Sequence, residues 1–453
     1  MNIHARRVLL ENGWARDVRL TCADGRIDRV ESGVDAGGSD SRVDTLLPAL
    51  ANLHSHAFQR AMAGMTEFRA AGRESFWTWR DLMYRFLDRL GPEQLEAIAA
   101  LVFMEMQEAG YASVGEFHYV HHQPGGQPYD ALSELSDCIV VAAGRTGIGL
   151  THLPVLYTYG GVDQEPLSGG QLRFANDVDR FLALVDACRS GIRALPADAR
   201  VGIAPHSLRA TAPADLARLL AAVPEGPVHI HIAEQTREVA DVEAKLGQRP
   251  VAWLLDNVDV DARWCLIHAT HMTDAETIAM AESGAVAGLC PVTEANLGDG
   301  IFNGVSFIEH GGAFGVGSDS NVRISLCEEL RTLEYSQRLR DRARNVLVAG
   351  EGSTGRFLYT GAAQGGARAL GRDAGAIAIG KLADLVAIDS THASLCALRD
   401  DQLLDGLCFA AADNVVTDTW SAGRHMVVSG RHIHRDAIIA RYRAAVSDLL
   451  QAI

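Results

Sequence analysis

The sequence predicts an α/β protein: a closed barrel of eight parallel strands alternating with helices, with a small β domain assembled from both chain ends. Three observations predict it. Between residue 46 and about residue 320, short apolar runs alternate with helix-like stretches, the rhythm of βα units. Eight such runs occur, the number that closes a parallel barrel. The flanks read differently, as short strands broken by Gly and Asp turns. The expected division is 1–46 for the first part of the small domain and 47–365 for the barrel with an insertion at 58–90. Residues 366–453 then supply the second part and a terminal helix.

Taken in order, residues 1–45 alternate apolar pieces such as Val8-Leu9-Leu10 with turns, a small antiparallel unit. The loop 32–41 is rich in Gly, Ser and Asp. Strands are expected at 46–56, 113–120, 147–157, 201–207, 228–233, 265–269, 285–290 and 313–318. Helices at 92–107, 177–192, 213–222 and 238–245 lie between them. Two of these open on Pro, which suits the first helical position. The stretch 58–90 far exceeds the usual βα loop of roughly 2–6 residues. Its second half predicts a helix with an aromatic face, either a cover on the barrel or a lid over a site. Beyond the last strand, a helix at 326–342, a strand pair at 380–389, a hairpin at 420–433 and a helix at 436–450 complete the chain.

Composition narrows the function. Apolar content of 48% and charged content of 22% are those of a soluble globular protein. Acidic residues outnumber basic ones by 57 to 41, a net charge of -16, which argues against nucleic-acid and anionic-membrane partners. The eight cysteines are scattered, without a Cys-x-x-Cys pair, as expected of reduced, mostly buried thiols in a cytoplasmic protein. No signal-peptide core and no run of membrane-spanning length is present.

The chemistry gathers where strands stop. The first apolar run ends in Leu53-His54-Ser55-His56, and the alternation of a strand points both imidazoles the same way. Such a pair alone is weak evidence in a chain with 17 histidines. The fifth run, however, ends in His231 and Glu234, the sixth in His268 and the eighth in Asp319. Barrels place their catalytic groups at these ends, and imidazole and carboxylate are zinc donors. His229 shares a face with His231 but lies one layer deeper, as a core histidine. His121, His122, His271, His425, His432 and His434 read as surface or supporting groups.

This order of His-x-His, His, His and Asp along eight βα units resembles the amidohydrolase superfamily over nearly the whole chain, and within it the deaminase branch. The resemblance implies a (β/α)8 TIM-like barrel with a β-sandwich, to which the stretch from Gly380 to Val386 is also similar. It implies one divalent metal ion, expected to be Zn²⁺, held by His54, His56, His231 and Asp319. His268 and Asp319 would orient the attacking water and take its proton, and Glu234, at the place of the branch's His-x-x-Glu, would carry protons to the leaving nitrogen. Members with two metals need a bridging carboxylated Lys from strand three or four. Here no Lys precedes Lys245, which favours a single metal and leaves only a bridging Glu or Cys open.

Leu53 to Arg60, Ala204 to Arg209 and His229 to Gln235 most resemble members that hydrolyse N-formimino-L-glutamate to N-formyl-L-glutamate and ammonia in histidine degradation. A small dicarboxylate substrate, a cytoplasmic location and a homodimer follow from the same resemblance. Gln59, Arg80, Tyr119, His206 and Arg209 match its substrate-binding positions, and guanidinium groups suit two carboxylates. Around Tyr119 the register leaves His118 and His121 as alternatives. Two rival readings stand beside this one. A guanine, cytosine or adenosine-type deaminase would stack its ring on Phe76, Trp77 or Trp79, although the two arginines argue against it. A barrel without catalysis, serving as an interaction protein, would be expected to have lost ligand positions, and here each is filled.

Overall fold

Apolar alternation at both chain ends builds one sheet. The computed structural model describes residues 1–67 and 76–451. Strands β1 (Asn2–Leu10), β2 (Gly13–Ala23) and β3 (Arg26–Glu31) form an antiparallel meander, and β4 (Ser41–Pro48) lies parallel to β1.

The chain then enters a parallel set made of β5 (Leu50–Ser55), β6 (Tyr111–His118), β7 (Gly149–Leu156), β8 (Arg200–Val201) and β9 (Ala204–Pro205). A second parallel set follows, of β10 (Val228–Ile232), β11 (Trp264–His268), β12 (Val286–Leu289) and β13 (Ala313–Val316). Two parallel bridges, Ile203 to Val228 and Ser55 to Asp319, join these sets at both of their edges. Strands β5, β6, β7, β10, β11 and β12 are buried at every residue, as strands covered on both faces must be.

Strands β14 (Leu385–Ile388), β15 (Val416–Ser421), β16 (Arg424–Val428) and β17 (Arg431–His432) return to the first sheet, where β14 pairs with β4. The result is an eight-stranded sheet of order β17-β16-β15-β14-β4-β1-β2-β3. Its own apolar cluster takes Ile3, Val18, Leu20 and Ile27 from one end of the chain and Leu385 and Trp420 from the other. A buried ion network fastens it to the parallel strands. Arg372 bonds Asp384 at 2.6 Å and Asp198 at 2.8 Å, and Arg424 reaches Asp198 at 2.7 Å. Removing one member would strand a buried charge, at a cost of roughly 3–5 kcal/mol.

The helices obey local signals. Pro92–Glu108 and Pro213–Ala222 open on proline as expected, and Val178–Gly191 is capped by Asp177, which accepts from the Arg180 N–H at 2.8 Å. The long insertion contains the turn Ala57–Met62 and the helix Phe76–Leu87. Residues 68–75 and the side chains of Phe76 and Trp77 lie outside the described residues; of the expected aromatic face, Phe86 is in the core, and Trp79 and Tyr84 pack against it. No described helix is long and apolar enough to cross a membrane.

Three expectations change. The run 46–56 is two strands, because Pro48 has no N–H to continue a ladder and Ala49 donates sideways to the Asp384 carbonyl at 3.0 Å. The run 201–207 gives two short pieces, β8 and β9, on either side of Gly202. The stretch 380–389 yields one strand, since the residues before β14 bond to Ile27 instead of to each other. Of the histidines read as surface or supporting groups, His121, His122 and His432 are buried supporting groups; their rings bond the carbonyls of Val155, Ala175 and Thr146.

Candidate active site

The ends of β5, β10, β11 and β13 converge because the backbone there is stitched together. Past β13, the Asp319 N–H donates to the His54 carbonyl, and the His56 N–H donates to the Asp319 carbonyl, each at 2.9 Å. This close approach requires Gly317, where a Cβ would stand 2.7 Å from the His54 backbone. Asp319 is thereby held against His54 of β5 and His56 just past its end.

One ligand atom from each of His54, His56, His231 and Asp319 lies within 4.8 Å of the others, all buried. The His54 and His231 Nε2 atoms are 3.1 Å apart, and Asp319 Oδ1 is 3.3 Å from His56 Nε2 and 3.6 Å from His54 Nε2. His56 Nδ1 donates to the Phe117 carbonyl at 2.9 Å and His231 Nδ1 to the His206 carbonyl at 3.2 Å. Those bonds place the proton on Nδ1 and leave both Nε2 lone pairs facing inward. Burial keeps the rings neutral, holding His54 and His231 well below their ordinary range and His56 at about 3. Converging lone pairs beside a carboxylate repel one another unless a cation lies between them. The donor set therefore fits a divalent ion.

His268 stands across from this cluster. Its Nε2 is 3.8 Å from both Glu234 Oε1 and Asp319 Oδ2, and its Nδ1 is 3.2 Å from Glu294 Oε1. Burial opposes its charge, but Glu234, Glu294 and Asp319 together outweigh burial and raise it to about 10. Asp319 is pushed up to about 7, chiefly by burial and against the pull of His268. Glu234 reaches this side because Ala233 has φ 51, a left-handed turn that breaks the strand's alternation just before it.

A single cavity is lined by His56, His231, Glu234, His268 and Asp319 together with Gln59, Arg80, Tyr119, His206 and Arg209. His54 lies beneath it, fully buried. The sequence-derived residues are thus all in or directly under one pocket. Tyr119, and not His118 or His121, faces it; its hydroxyl accepts from Gln59 Nε2 at 2.8 Å. The Arg80 guanidinium lies 5.6 Å over the ring of Tyr84, and the His206 ring sits 4.5 Å from that of Tyr157. His229 is the core histidine expected, bonded to the Ala369 carbonyl at 2.8 Å.

Sequence reasoning passed over Glu294, Tyr157, Phe174, Thr293 and Ser320. Tyr157 and Glu294 follow the ends of apolar runs, so the rule that found the others applied to them too. Phe174 comes from the short turn Gly169–Phe174, which carries no sequence signal.

Comparison with known proteins agrees with this geometry. The sequence model described as "Amidohydrolase family" matches residues 45–426, and that described as "Formimidoylglutamate deiminase HutF, N-terminal domain" matches residues 1–44. The chain is 49% identical over 451 residues to a formimidoylglutamate deiminase of Pseudomonas aeruginosa, covering 99% of each. Among solved structures, an amidohydrolase from Brucella melitensis superposes with a TM-score of 0.95 at 50% identity, covering 99% of each chain. An adenosine deaminase from Xanthomonas campestris with bound zinc superposes at 0.82 with 24% identity, covering 99% of this chain and 98% of its own, a likeness of fold.

Proposed function

The chain belongs to the amidohydrolase family, and on that premise we propose that it hydrolyses N-formimino-L-glutamate to N-formyl-L-glutamate and ammonia, a step of histidine degradation. The observation that carries the reading is the meeting of two guanidinium groups, Arg80 and Arg209, with the His and Asp cluster in one cavity. A dicarboxylate needs two cations, and its formimino carbon must then reach the cluster.

In this reading His54, His56, His231 and Asp319 hold one divalent ion, and three nitrogens with one oxygen suit zinc. When bound, the ion supplies a water acidic enough, with a pKa near about 7, to attack at neutral pH. His268 Nε2, charged beside Glu234, Glu294 and Asp319, would orient that water, and the free oxygen of Asp319 would accept its proton. Glu234 Oε1, 3.8 Å from His268 Nε2, delivers protons to the amino group that leaves as ammonia. Arg209 and Arg80 bind the carboxylates, while Gln59, Tyr119 and His206 fix the chain of the substrate between them.

We further read the parallel strands β5 to β13, joined at both edges and with β8 and β9 as one interrupted strand, as a (β/α)8 barrel, and the sheet built from the chain ends as the family's β-sandwich. The division into 1–46, 47–365 and 366–453 is part of this reading, although β4 runs on through Pro48 and the helix Thr354–Ala369 crosses residue 366. A cytoplasmic homodimer completes it, which sedimentation and cell fractionation can check.

Aromatic groups in the cavity, Trp79, Tyr84, Tyr157 and Phe174, favour a ring deaminase as the second reading. Turnover of N-formimino-L-glutamate beside a derivative lacking the side-chain carboxylate, with a panel of nucleobases, decides between them. Strong discrimination against the truncated derivative is expected. Equal turnover of both, or turnover of a nucleobase, would give the second reading the site.

A further inference from the structure

The helix Thr236–Leu246 starts two residues after Glu234, with Gln235 as its N-cap. Its third residue, Glu238, is 1% exposed, and its Oε2 accepts from the Glu234 N–H at 3.2 Å. A glutamate at this position often reaches back to close a helix start, so capping by itself accounts for that bond. It does not account for what lies on the other side. Arg209 Nε is 3.8 Å from the same Oε2, and this nitrogen is buried without a hydrogen-bond partner. The second oxygen, Oε1, is likewise buried and unpartnered. Two acids, Glu234 and Glu238, would therefore face each other in a dry region were the Arg209 cation not beside them. A neutral glutamine would cap the helix as well.

We propose that Glu238 is a positioning residue for the reaction. It holds the Nε edge of Arg209, so that the terminal nitrogens turn into the cavity toward a substrate carboxylate, and it anchors the backbone of Glu234 with the same oxygen. Carboxylate recognition and proton delivery are thus set from one buried anion. The proposal rests on the reading that Arg209 binds a substrate carboxylate, and its test separates the two.

Glu238→Gln preserves shape and the capping acceptor while removing the charge. With zinc-loaded enzyme, KM for N-formimino-L-glutamate is expected to rise by about fivefold or more, with kcat changed by less than about threefold, since an ion pair to a charged group is lost from binding and not from the chemistry. The unfolding midpoint stays that of wild type. Arg209→Gln raises KM by itself, and adding Glu238→Gln to it changes KM by less than about twofold, because the two act as one unit. If Arg209→Gln raises KM and Glu238→Gln does not, the positioning role is overturned and the carboxylate reading stands. If neither raises KM, the carboxylate reading falls first. Full additivity, or a loss confined to kcat, also overturns the proposal, since Glu238 would then act apart from Arg209. Should Glu238→Gln fail to fold, Glu238→Asp decides: it keeps the charge on a shorter stem, and a moderate KM rise with kcat retained is expected. Lowered kcat at unchanged KM in that variant overturns it.

Discussion

Gly317→Ala tests how the strand ends that carry the proposed metal ligands are held together. Its Cβ would lie 2.7 Å from His54 N and O, against 3.4 Å for ordinary contact, a shortfall of about 0.7 Å. Neither side can yield freely. Gly317 N–H is bonded to the Leu289 carbonyl, and the backbone of Asp319 is bonded to those of His54 and His56, all at 2.9 Å. The displacement therefore passes to Asp319, two residues on, whose Oδ1 must stay matched to His54 and His56. Metal sites tolerate errors of only about 0.2 Å in ligand distance. Overpacking of this kind costs roughly 1–3 kcal/mol of stability. Disturbing the frame of a ligand typically costs 10–100-fold in metal affinity, so a loss of at least about tenfold in zinc affinity is expected. Competition against a chromophoric chelator measures the affinity, and urea unfolding of the metal-free protein measures the stability. Zinc affinity and kcat/KM within about threefold of wild type would show that the pairing of this segment with β5 does not set the ligand geometry.

Three further expectations follow from the same groups. Glu234→Gln should keep zinc and fold while losing roughly 10²–10⁴-fold in kcat, and a loss below about tenfold in steady-state assays removes Glu234 from proton transfer. Arg209→Lys keeps the charge but not the planar fork, so kcat/KM should fall by at least about tenfold while elemental analysis still finds one zinc per chain. His152, fully buried with neither ring nitrogen bonded, is held at about 3 by burial. The unfolded imidazole takes its proton near about 6.5, so unfolding is favoured progressively as pH falls through that window, by about 2 kcal/mol at pH 5. Denaturant melts at pH 7 and pH 5 should show that much less acid loss in His152→Gln, and an unchanged difference would refute the burial argument.

The sequence showed most of the candidate site because its polar groups sit at strand ends, where an apolar run gives way to His, Asp or Glu. That contrast is local and can be read along the chain. His54, His56, His231, His268 and Asp319 all announce themselves in this way. The two-strand break at Ala49 was not legible, since it depends on a bond to Asp384, far away in the chain. The buried state of His121 and His122 was hidden for a similar reason: their carbonyl partners come from Val155 and Ala175. Glu238 looked like an ordinary residue of an amphipathic helix, because its second neighbour, Arg209, arrives from another βα unit.

What the pattern of strands could least foretell is the backbone that aims the side chains. Ala233, His268, Ala269, Asp319 and Asn321 have φ of 51, 66, 48, 44 and 55, in the left-handed region that residues with a Cβ avoid. Each costs of order 1 kcal/mol or more, and none is a glycine that would remove the cost. They persist because their neighbours over-determine them. The Ala269 N–H bonds the Ile232 carbonyl at 3.1 Å, and the His271 N–H bonds the Ala233 carbonyl at 2.9 Å. Ser318 receives a bond from Asn52 and gives one to Asn321, both at 2.6 Å, while Asn321 donates to the Asp319 carbonyl at 3.1 Å. A strand of period two would send Glu234 to the face opposite His231. The left-handed residue between them turns it back, so the strain at these ends is the means by which an alternating strand presents Glu234 and His231 to the same cavity.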